Sequence, residues 1–315
     1  MSYHDQHLTE LTQRLVDILE AGDLPPWMKG WEPGHAPHGP WNPTTGKQYS
    51  GENAINLMIA QMDQGLDQAA WMTYNQAKAV GGQVEKGSSS IRIKKYLMPS
   101  EQELAKRGPD AYAGPMIKYS HVFPVSMIAG LPDHLVGPTN PLVQNEMVRH
   151  NACEALLEKA QKELGITIKH DREYPFYQPS TDTIHCPKPE SFHTPDHYYA
   201  TILHEVAHAT GHVSRLNRDS LKNAMWGTPE YAKEELVAET ASYFMGARLG
   251  VGHDPQNHAA YIQHWITVLK TDNRAMSYAA AQAEKVCQVL GITQLQTIAL
   301  ERSELEHEPE QERAA

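Results

Sequence analysis

The run His204-Glu205-Val206-Ala207-His208 contains the residues of this chain with the clearest capacity for chemistry. On a helix, two histidines four residues apart point the same way, so their imidazoles can hold one zinc ion. Glu205 follows the first histidine and can act as the general base toward a water molecule at the metal. Because so short a pattern also arises by chance, a zinc site requires a third ligand.

The third ligand is sought downstream, since Ser214 occupies the position where an extended form of the motif would place a histidine. A helix predicted over 231–240 offers carboxylates instead. Glu235 and Glu239 are four residues apart and share a face of this helix. Glu234 is a competing ligand, because sequence alone does not fix the helix phase. The simpler alternative is that all three glutamates form a solvated face.

The histidine motif followed by paired glutamates resembles the glutamate-zincin metalloproteases. The resemblance implies that Glu235 is the third ligand and that Glu239 hydrogen-bonds one ligand histidine, His204 or His208. It also implies one Zn2+ per chain, for which manganese or cobalt could substitute in vitro. His212 either reaches this site or caps its helix. The candidates for stabilising an oxyanion are Tyr231, Tyr243 and His212.

Length and composition favour a protein of two domains without a membrane partner. The chain has 315 residues, enough for two cores, and its net charge of −11 gives no general attraction to nucleic acid. It contains no run of about eighteen apolar residues, and its start lacks the features of a signal peptide. Three widely spaced cysteines favour reduced thiols. We therefore expect a cytoplasmic location.

The first half of the chain combines predicted helices with one strand pair. The predicted elements are an amphipathic helix over 5–20, a helix over 53–64, a short helix capped by Thr73, and strands over 90–97 and 119–125. The segment 24–49 is rich in proline and glycine, which predicts irregular structure, but its tryptophans predict packing.

The second half follows a proline-rich linker over 131–141 and is predicted to be mainly helical. The predicted elements are a helix over 144–164, a strand over 165–169, an edge strand over 182–186 beside the metal helix, and helices from 231 to about 299. The glutamate-rich tail over 301–315 is expected to be disordered. The fold class is therefore α+β, with a small N-terminal α/β domain over 1–130 and a mainly helical domain with a small sheet over 142–300.

Motifs in both halves resemble the ArdC-type antirestriction proteins. The segments that carry the resemblance are Asn42–Asn53, Trp71–Ala77, Gly81–Gly87, Leu203–His212, Arg215–Arg218 and Glu234–Glu239. The likeness covers roughly residues 5–290 and implies an N-terminal domain that binds single-stranded DNA, followed by a zincin-like metallopeptidase domain. Members are carried on conjugative plasmids and related mobile elements and are implicated in protecting incoming DNA from restriction. Related domains occur in conjugative primases.

A basic cluster between Trp71 and Met98 is the candidate DNA contact. Its members are the aromatic Trp71, Tyr74 and Tyr96 and the basic Lys78, Lys86, Arg92, Lys94 and Lys95. Basic groups for phosphates and aromatic faces for bases suit single-stranded DNA. The residues alone favour the simpler interpretation that Arg92, Lys94 and Lys95 are the solvent side of an ordinary strand, whereas the resemblance favours DNA binding.

Three hypotheses about function remain open at the level of sequence. The favoured one is a two-domain antirestriction protein that binds single-stranded DNA and carries a zinc peptidase site. The second is a DNA-binding protein whose zinc site is structural or regulatory. The third is a zinc peptidase that cleaves a protein regulator and has no role on DNA.

Overall fold

The structure is a computed structural model that describes residues 3–28, 39–108, 113–136, 146–225, 227–251 and 259–292. The chain forms two compact units. The first unit comprises Met1–Gly39, Ser50–Ile55 and Thr139–Ala315, and the second comprises Pro40–Tyr49 and Asn56–Pro138. The mixture of helices and small sheets in two units confirms the predicted α+β class.

The second unit is built around an antiparallel three-stranded sheet. Its strands are β3 (Trp71–Thr73), β5 (Ile91–Leu97) and β6 (Met116–Pro124), in the order β3-β6-β5. Two smaller pairs join β1 (Trp41–Asn42) to β2 (Lys47–Gln48) and β4 (Gln83–Val84) to β7 (Ile128–Ala129). The helices are α2 (Gly51–Asp63), whose first five residues belong to the first unit, α3 (Tyr74–Ala79) and α4 (Glu101–Arg107).

Local sequence explains the start of α3. Thr73 accepts a hydrogen bond from the backbone N–H of Gln76 at 3.3 Å, and the Gln76 side chain accepts one from the Thr73 N–H at 2.9 Å. This reciprocal capping box confirms the predicted cap. The predicted strand pair is also confirmed, with Ile91 opposite Val122 at one end of the β5–β6 pairing.

The first unit is a helical assembly with a small sheet. Its helices are α1 (Tyr3–Glu20), α5 (Glu146–Lys162), α6 (Pro195–Thr210), α7 (Asp219–Lys222), α8 (Pro229–Leu249), α9 (Ala259–Thr271) and α10 (Ala275–Leu290). The sheet has the order β8-β10-β9, from β8 (Thr167–Lys169), β10 (Thr183–His185) and β9 (Phe176–Gln178). Helix α8 is buried along most of its length and packs against α6, α9 and α10.

The predicted edge strand over 182–186 is corrected by the structure. Strand β10 is central, parallel to β8 and antiparallel to β9, and all three of its residues are buried. The edge strands are β8, which corresponds to the predicted strand over 165–169, and β9, which was not predicted. Only three residues long and flanked by Pro175 and Pro179, β9 is too short to show an alternating pattern.

The two compact units are each discontinuous along the chain, and the domain division at residue 130 stays a prediction. Helix α1 packs on α9 within the first unit, where the Thr12 hydroxyl donates to the backbone carbonyl of Asn273 at 3.0 Å. The start of the predicted linker is packed rather than free, because Leu131 contacts a core cluster of the second unit and Leu135 is buried. The rest of that linker lies outside the described residues, as does the predicted disordered tail. Trp31, one of the tryptophans of the segment 24–49, lies outside them as well.

Two expectations from composition can be compared with the described residues. All three cysteines are free, buried thiols, in agreement with the prediction of reduced cysteines. Within the ranges given above, every helix is too short or too polar to cross a membrane.

Candidate metal centre

Helix α6 places the histidine motif at the interior of the first unit. Thr194 accepts a hydrogen bond from the His197 N–H at 3.3 Å, and Pro195 occupies the first helical turn, so the helix begins where its sequence favours a start. Apolar residues around the motif are fully buried; they are Ile202, Leu203, Val206 and Ala207. His204 is half-buried and His208 is buried.

Helix α8 supplies the carboxylates. Glu234, Glu235 and Glu239 are 1%, 4% and 0% exposed, so the alternative of a solvated glutamate face is wrong. Carboxylates this deeply buried require partners that compensate their charge. The two histidines of α6 face all three of these carboxylates.

The side chains of His204, His208 and Glu235 converge on one point. Their ligand atoms lie within 4.8 Å of one another. The two Nε2 atoms are 3.1 Å apart, and each lies 3.6 Å from an oxygen of Glu235. Tetrahedral ligands about 2.0–2.1 Å from a zinc ion would be about 3.3 Å from each other, so the triangle fits such an ion.

The outer nitrogens of both imidazoles face other carboxylates. Nδ1 of His204 lies 3.2 Å from Oε1 of Glu239, and Nδ1 of His208 lies 3.2 Å from Oε1 of Glu234. With both Nδ1 atoms donating protons, neutral imidazoles direct the lone pairs of their Nε2 atoms at each other and at Glu235. A positive charge between them, either a proton or a metal ion, makes that arrangement favourable, and the donor set of nitrogen and carboxylate oxygen suits a divalent metal ion.

The phase of α8 separates the two competing glutamates. Glu235 faces both Nε2 atoms, whereas Glu234 lies behind His208 and is held by Arg218 at 2.5 Å and by the Ser220 hydroxyl at 2.6 Å. The geometry therefore favours Glu235 over Glu234 as the third ligand. It also assigns Glu239 to His204 rather than to His208.

The electrostatics of the site attract positive charge. Burial opposes protonation of His204, but Glu239, Glu235 and Glu205 outweigh it, and the pKa of His204 lies well above its ordinary value. Burial also opposes ionisation of Glu235, but the two histidines outweigh it and lower its pKa. Either a proton on an imidazole or a metal ion between the ligands would balance the negative charge of these carboxylates.

Glu205 lies inside this site and differs in character from the ligands. Burial raises its pKa, while the neighbouring histidines and a hydrogen bond from the backbone N–H of Tyr177 act in the opposite direction. Tyr177 belongs to the edge strand β9. That contact fixes the Glu205 carboxylate from the side of the sheet. It could not be predicted from sequence, because every residue type except proline carries a backbone N–H.

The three oxyanion candidates lie in different surroundings. The Tyr231 hydroxyl contacts the Tyr261 hydroxyl at 3.2 Å and hydrogen-bonds Glu235. Tyr243 is 3% exposed, within the packed interior of the unit. His212 turns to the Ser214 hydroxyl at 2.8 Å and is not in the metal cluster. Tyr231 is therefore the candidate beside the ligands, and Tyr261 joins it without having been predicted.

The predicted DNA-contact residues are distributed unevenly over the second unit. Trp71 is fully buried in a core cluster with Leu57 and Ile93, so its prediction as a base-stacking residue is corrected. Tyr74 is 45% exposed. Lys78, Lys86 and Lys95 are exposed, Arg92 is half-buried and Lys94 is buried. Alternation along β5 directs Lys95 to the face opposite Arg92 and Lys94.

Comparison with known families matches both parts of the chain. Residues 5–123 match the N-terminal domain of the anti-restriction factor ArdC, and residues 155–282 match a zincin-like metallopeptidase family. The DNA primase TraC of Escherichia coli is 40% identical over 304 residues, which cover 90% of this chain. The chain spans only 26% of that primase's own length.

Solved structures give a likeness over nearly the whole chain. The metal-free crystal structure of the antirestriction protein ArdC from the R388 plasmid superposes with a TM-score of 0.71 at 31% identity. The match covers 90% of this chain and 96% of that one. The Mn(II)-bound structure of the same protein gives a TM-score of 0.70 at the same identity and coverage.

Proposed function

Because the chain belongs to the family of ArdC-type antirestriction proteins, we propose that it is an antirestriction protein of a mobile element. It binds single-stranded DNA through its N-terminal domain over 1–130 and hydrolyses peptide bonds at a Zn2+ site in the zincin-like domain over 142–300. It acts in the cytoplasm, and its peptide substrate belongs to a protein partner. The single observation that carries the hydrolytic part is the convergence of His204, His208 and Glu235 beside Glu205.

The metal would be held by Nε2 of His204, Nε2 of His208 and a carboxylate oxygen of Glu235. The carboxylates at the Nδ1 atoms keep both imidazoles in the tautomer that presents Nε2 inward. A divalent ion held there supplies Lewis acidity toward a carbonyl and lowers the pKa of a water molecule. The Mn(II)-bound structure of the R388 protein supports a divalent ion in this family, and zinc is proposed from the donor set.

Glu205 is the proton carrier in the proposed reaction. It accepts a proton from the attacking water and delivers it to the leaving amine nitrogen, so that the C–N bond breaks after the C–O bond has formed. Burial raises the pKa of Glu205, which helps the carboxyl to keep the proton between the two transfers. The N–H of Tyr177 keeps the carboxylate directed into the site.

Metal content of the purified full chain tests the ligand assignment. We expect about one zinc per chain in the wild type and in Glu230→Ala, an exposed position on the same helix. Glu235→Ala should lose the metal. Glu239→Ala should still fill at high zinc but bind about 10 to 100 times more weakly. A wild type that takes up no divalent metal when zinc is supplied would overturn the catalytic proposal.

Glu205→Gln tests whether peptide hydrolysis is the working activity. This variant should keep its zinc and lose cleavage of a denatured casein probe. Protection of incoming plasmid DNA in recipient cells should then fall as well. If the variant binds zinc and protects DNA as well as the wild type, the zinc site is structural or regulatory and DNA binding alone accounts for antirestriction.

A further inference from the structure

The hairpin of β5 and β6 carries a basic and aromatic face that the metal chemistry does not use. Alternate residues on the two strands share this outer face; they are Arg92, Lys94, Tyr96, Ile117, Tyr119 and His121. The register places Arg92 opposite His121, Lys94 opposite Tyr119, and Tyr96 opposite Ile117. The other face of the hairpin holds Ile93 and Val122, which are buried in the core cluster.

Cations and rings lie side by side on the outer face. The Arg92 guanidinium lies 5.7 Å from the centre of the Tyr119 ring, diagonally across the two strands. The Lys94 ammonium lies 5.7 Å from the centre of the Tyr96 ring, along the same strand. Tyr96 is 60% exposed, so most of its side chain is available to a partner. Arg92 is half-buried and Lys94 is 8% exposed, so a nucleotide stacked on these rings would place a phosphate at Arg92 and would meet Lys94 only through its charge.

The charge of this hairpin differs from that of the chain. The two strands, 91–97 and 116–124, contain four basic residues and no acidic residue, whereas the chain has a net charge of −11. Arg92 and Lys94 lie on the outer face, and the other two, Lys95 and Lys118, lie on the opposite face. A polyanion is therefore repelled by the average surface and attracted here. The hairpin has the charge and the rings that binding to single strands uses.

We propose that the outer face of β5–β6 is the stacking platform for single-stranded DNA, with bases on Tyr96 and Tyr119, phosphates at the half-buried Arg92, and the buried Lys94 adding its charge without direct contact. The proposal rests on the proposed DNA-binding function and locates its site. Of the predicted aromatic residues it keeps Tyr96 and removes Trp71, it adds Tyr119, and it leaves Lys95 on the opposite face. Exposed apolar groups at Met98 and Ile117 extend the platform toward the open end of the hairpin. Unpaired bases are required, because bases within a duplex cannot lie on a ring.

Binding of a labelled single-stranded oligonucleotide to the full-length protein tests the platform with matched variants. Tyr96→Leu should weaken binding at least about 5-fold, since one stacked base is lost. Tyr96→Phe, which keeps the ring, should bind within about 2-fold of wild type. Tyr174→Leu is the control for an exposed tyrosine outside the predicted DNA-contact cluster. Arg92→Gln should weaken binding, whereas Lys95→Gln, on the same strand and the opposite face, should not.

The outcomes separate failure of the platform from failure of DNA binding. If the wild type binds and the two control variants lose as much affinity as Tyr96→Leu and Arg92→Gln, the platform is wrong while DNA binding stands. Equal affinity for duplex DNA, or tighter binding of RNA of the same sequence, would also overturn the platform. If the wild type binds no oligonucleotide, the proposed function fails together with the platform. Thermal unfolding of each variant identifies any that has lost its fold.

Discussion

At the scale of single residues, the candidate metal centre depends on groups outside its three proposed ligands. Nδ1 of His208 faces Glu234, and Glu234 is held by the buried guanidinium of Arg218. Burial works against ionisation of Glu234, but hydrogen bonds from His208 and Arg218 outweigh it and lower its pKa to about 2. Arg218 also donates to the Ala207 carbonyl at 2.7 Å, within the histidine motif itself. Arg218, which follows α6 in the chain, therefore fixes the proposed ligand His208 by holding the carboxylate of Glu234.

Gly211 is the residue that leaves room for this arginine. A Cβ atom at position 211 would lie 2.6 Å from Nη2 and 2.7 Å from Cζ of Arg218. The buried guanidinium would have to move and would lose hydrogen bonds to Glu234 and Ala207. We expect Gly211→Ala to lower the free energy of unfolding by about 1–3 kcal/mol and to weaken zinc binding. Denaturant unfolding and zinc titration measure the two effects.

Gly39→Ala is the matched control for that substitution, since a Cβ atom there meets no atom of the described residues within 4 Å. It should leave both the free energy of unfolding and the zinc affinity unchanged. If Gly211→Ala behaved like this control, the guanidinium would be able to shift without cost, and the link from Arg218 to His208 would be rejected.

The part of the site that can be predicted from sequence is the part with helical spacing. Two histidines four residues apart, and two glutamates four residues apart, each define one face of a helix by their spacing alone. Arg218 and Tyr261 escape such reasoning, because one follows a turn and the other comes from a later helix. The choice between Glu234 and Glu235 needs the packing angle of α8 on α6, which spacing within one helix does not give.

At the scale of elements, β3 shows why an aromatic residue in a basic cluster need not bind DNA. Trp71 lies on the face of the sheet that packs against Leu57 and Ala60 of α2. Its indole N–H has no hydrogen-bond partner among the described residues. We expect Trp71→Phe to keep the oligonucleotide affinity within about 2-fold of wild type. Trp71→Ala should lower the free energy of unfolding by about 3–5 kcal/mol.

Urea unfolding and oligonucleotide titration of both Trp71 variants check this prediction. A folded Trp71→Phe variant with wild-type stability and greatly weakened DNA binding would contradict it, because the tryptophan would then contact DNA directly. Tyr96→Leu is the comparison, since that change should affect binding and leave stability nearly unaltered.

The turn between β9 and β10 is tied to the end of α6 by an ion pair. Arg215 donates to Asp182 through both terminal nitrogens, with Nη1 to Oδ2 at 2.9 Å, and to the backbone carbonyl of Ala209 at 2.8 Å. Burial would raise the pKa of Asp182, but hydrogen bonds from Arg215 and Tyr177 outweigh it and hold the pKa below the ordinary value of 3.8. The pair therefore stabilises the ionised carboxylate in the folded state.

The lowered pKa predicts a pH dependence that Asp182→Asn should remove. Because the folded-state pKa lies below the unfolded one, the stabilisation is fully present above about pH 4 and is lost as the pH falls through the folded-state value. Asparagine tolerates the positive φ of 49° at this position. Asp182→Asn should therefore be about 1–2 kcal/mol less stable than wild type at pH 7, and the difference should shrink below pH 4.

Denaturant unfolding at a series of pH values measures the difference. The control is Asp219→Asn, because the Asp219 side chain is 88% exposed in its pair with Lys222. That change should be nearly neutral at every pH. A gap between Asp182→Asn and wild type that stays constant down to pH 3 would show that the carboxylate charge contributes nothing.

The elements that sequence predicts best are those whose periodic pattern extends over many residues. Helices α1, α5 and α6 and the β5–β6 pair were predicted because many residues share each pattern. Strand β9 was missed and β10 was misplaced to the edge, since three-residue strands show no period and strand order is set by contacts distant in sequence. Those two strands position Tyr177 and Asp182, so the missed element is one that the candidate site needs.

At the scale of the whole molecule, the net charge of the chain is negative, whereas the outer face of β5–β6 is basic. The net charge of the chain is −11, and the outer face brings Arg92 and Lys94 together without an acidic neighbour on either strand. In salt near the physiological range, charges more than about 8–10 Å apart are largely screened, so the distant carboxylates matter less than the local cations. The binding of DNA should then depend on the few phosphates that the platform neutralises.

The salt dependence of oligonucleotide binding counts those phosphates. For single strands, log Kobs falls with log salt by about 0.7 per phosphate contact, so two cations predict a slope of about −1.4. Participation of all five predicted basic residues would give about −3.5. We expect the smaller value, and Arg92→Gln should reduce it by about 0.7 while Lys86→Gln leaves it unchanged. A slope near −3.5 that falls equally in both variants would place the DNA along the wider basic cluster instead of on the β5–β6 face.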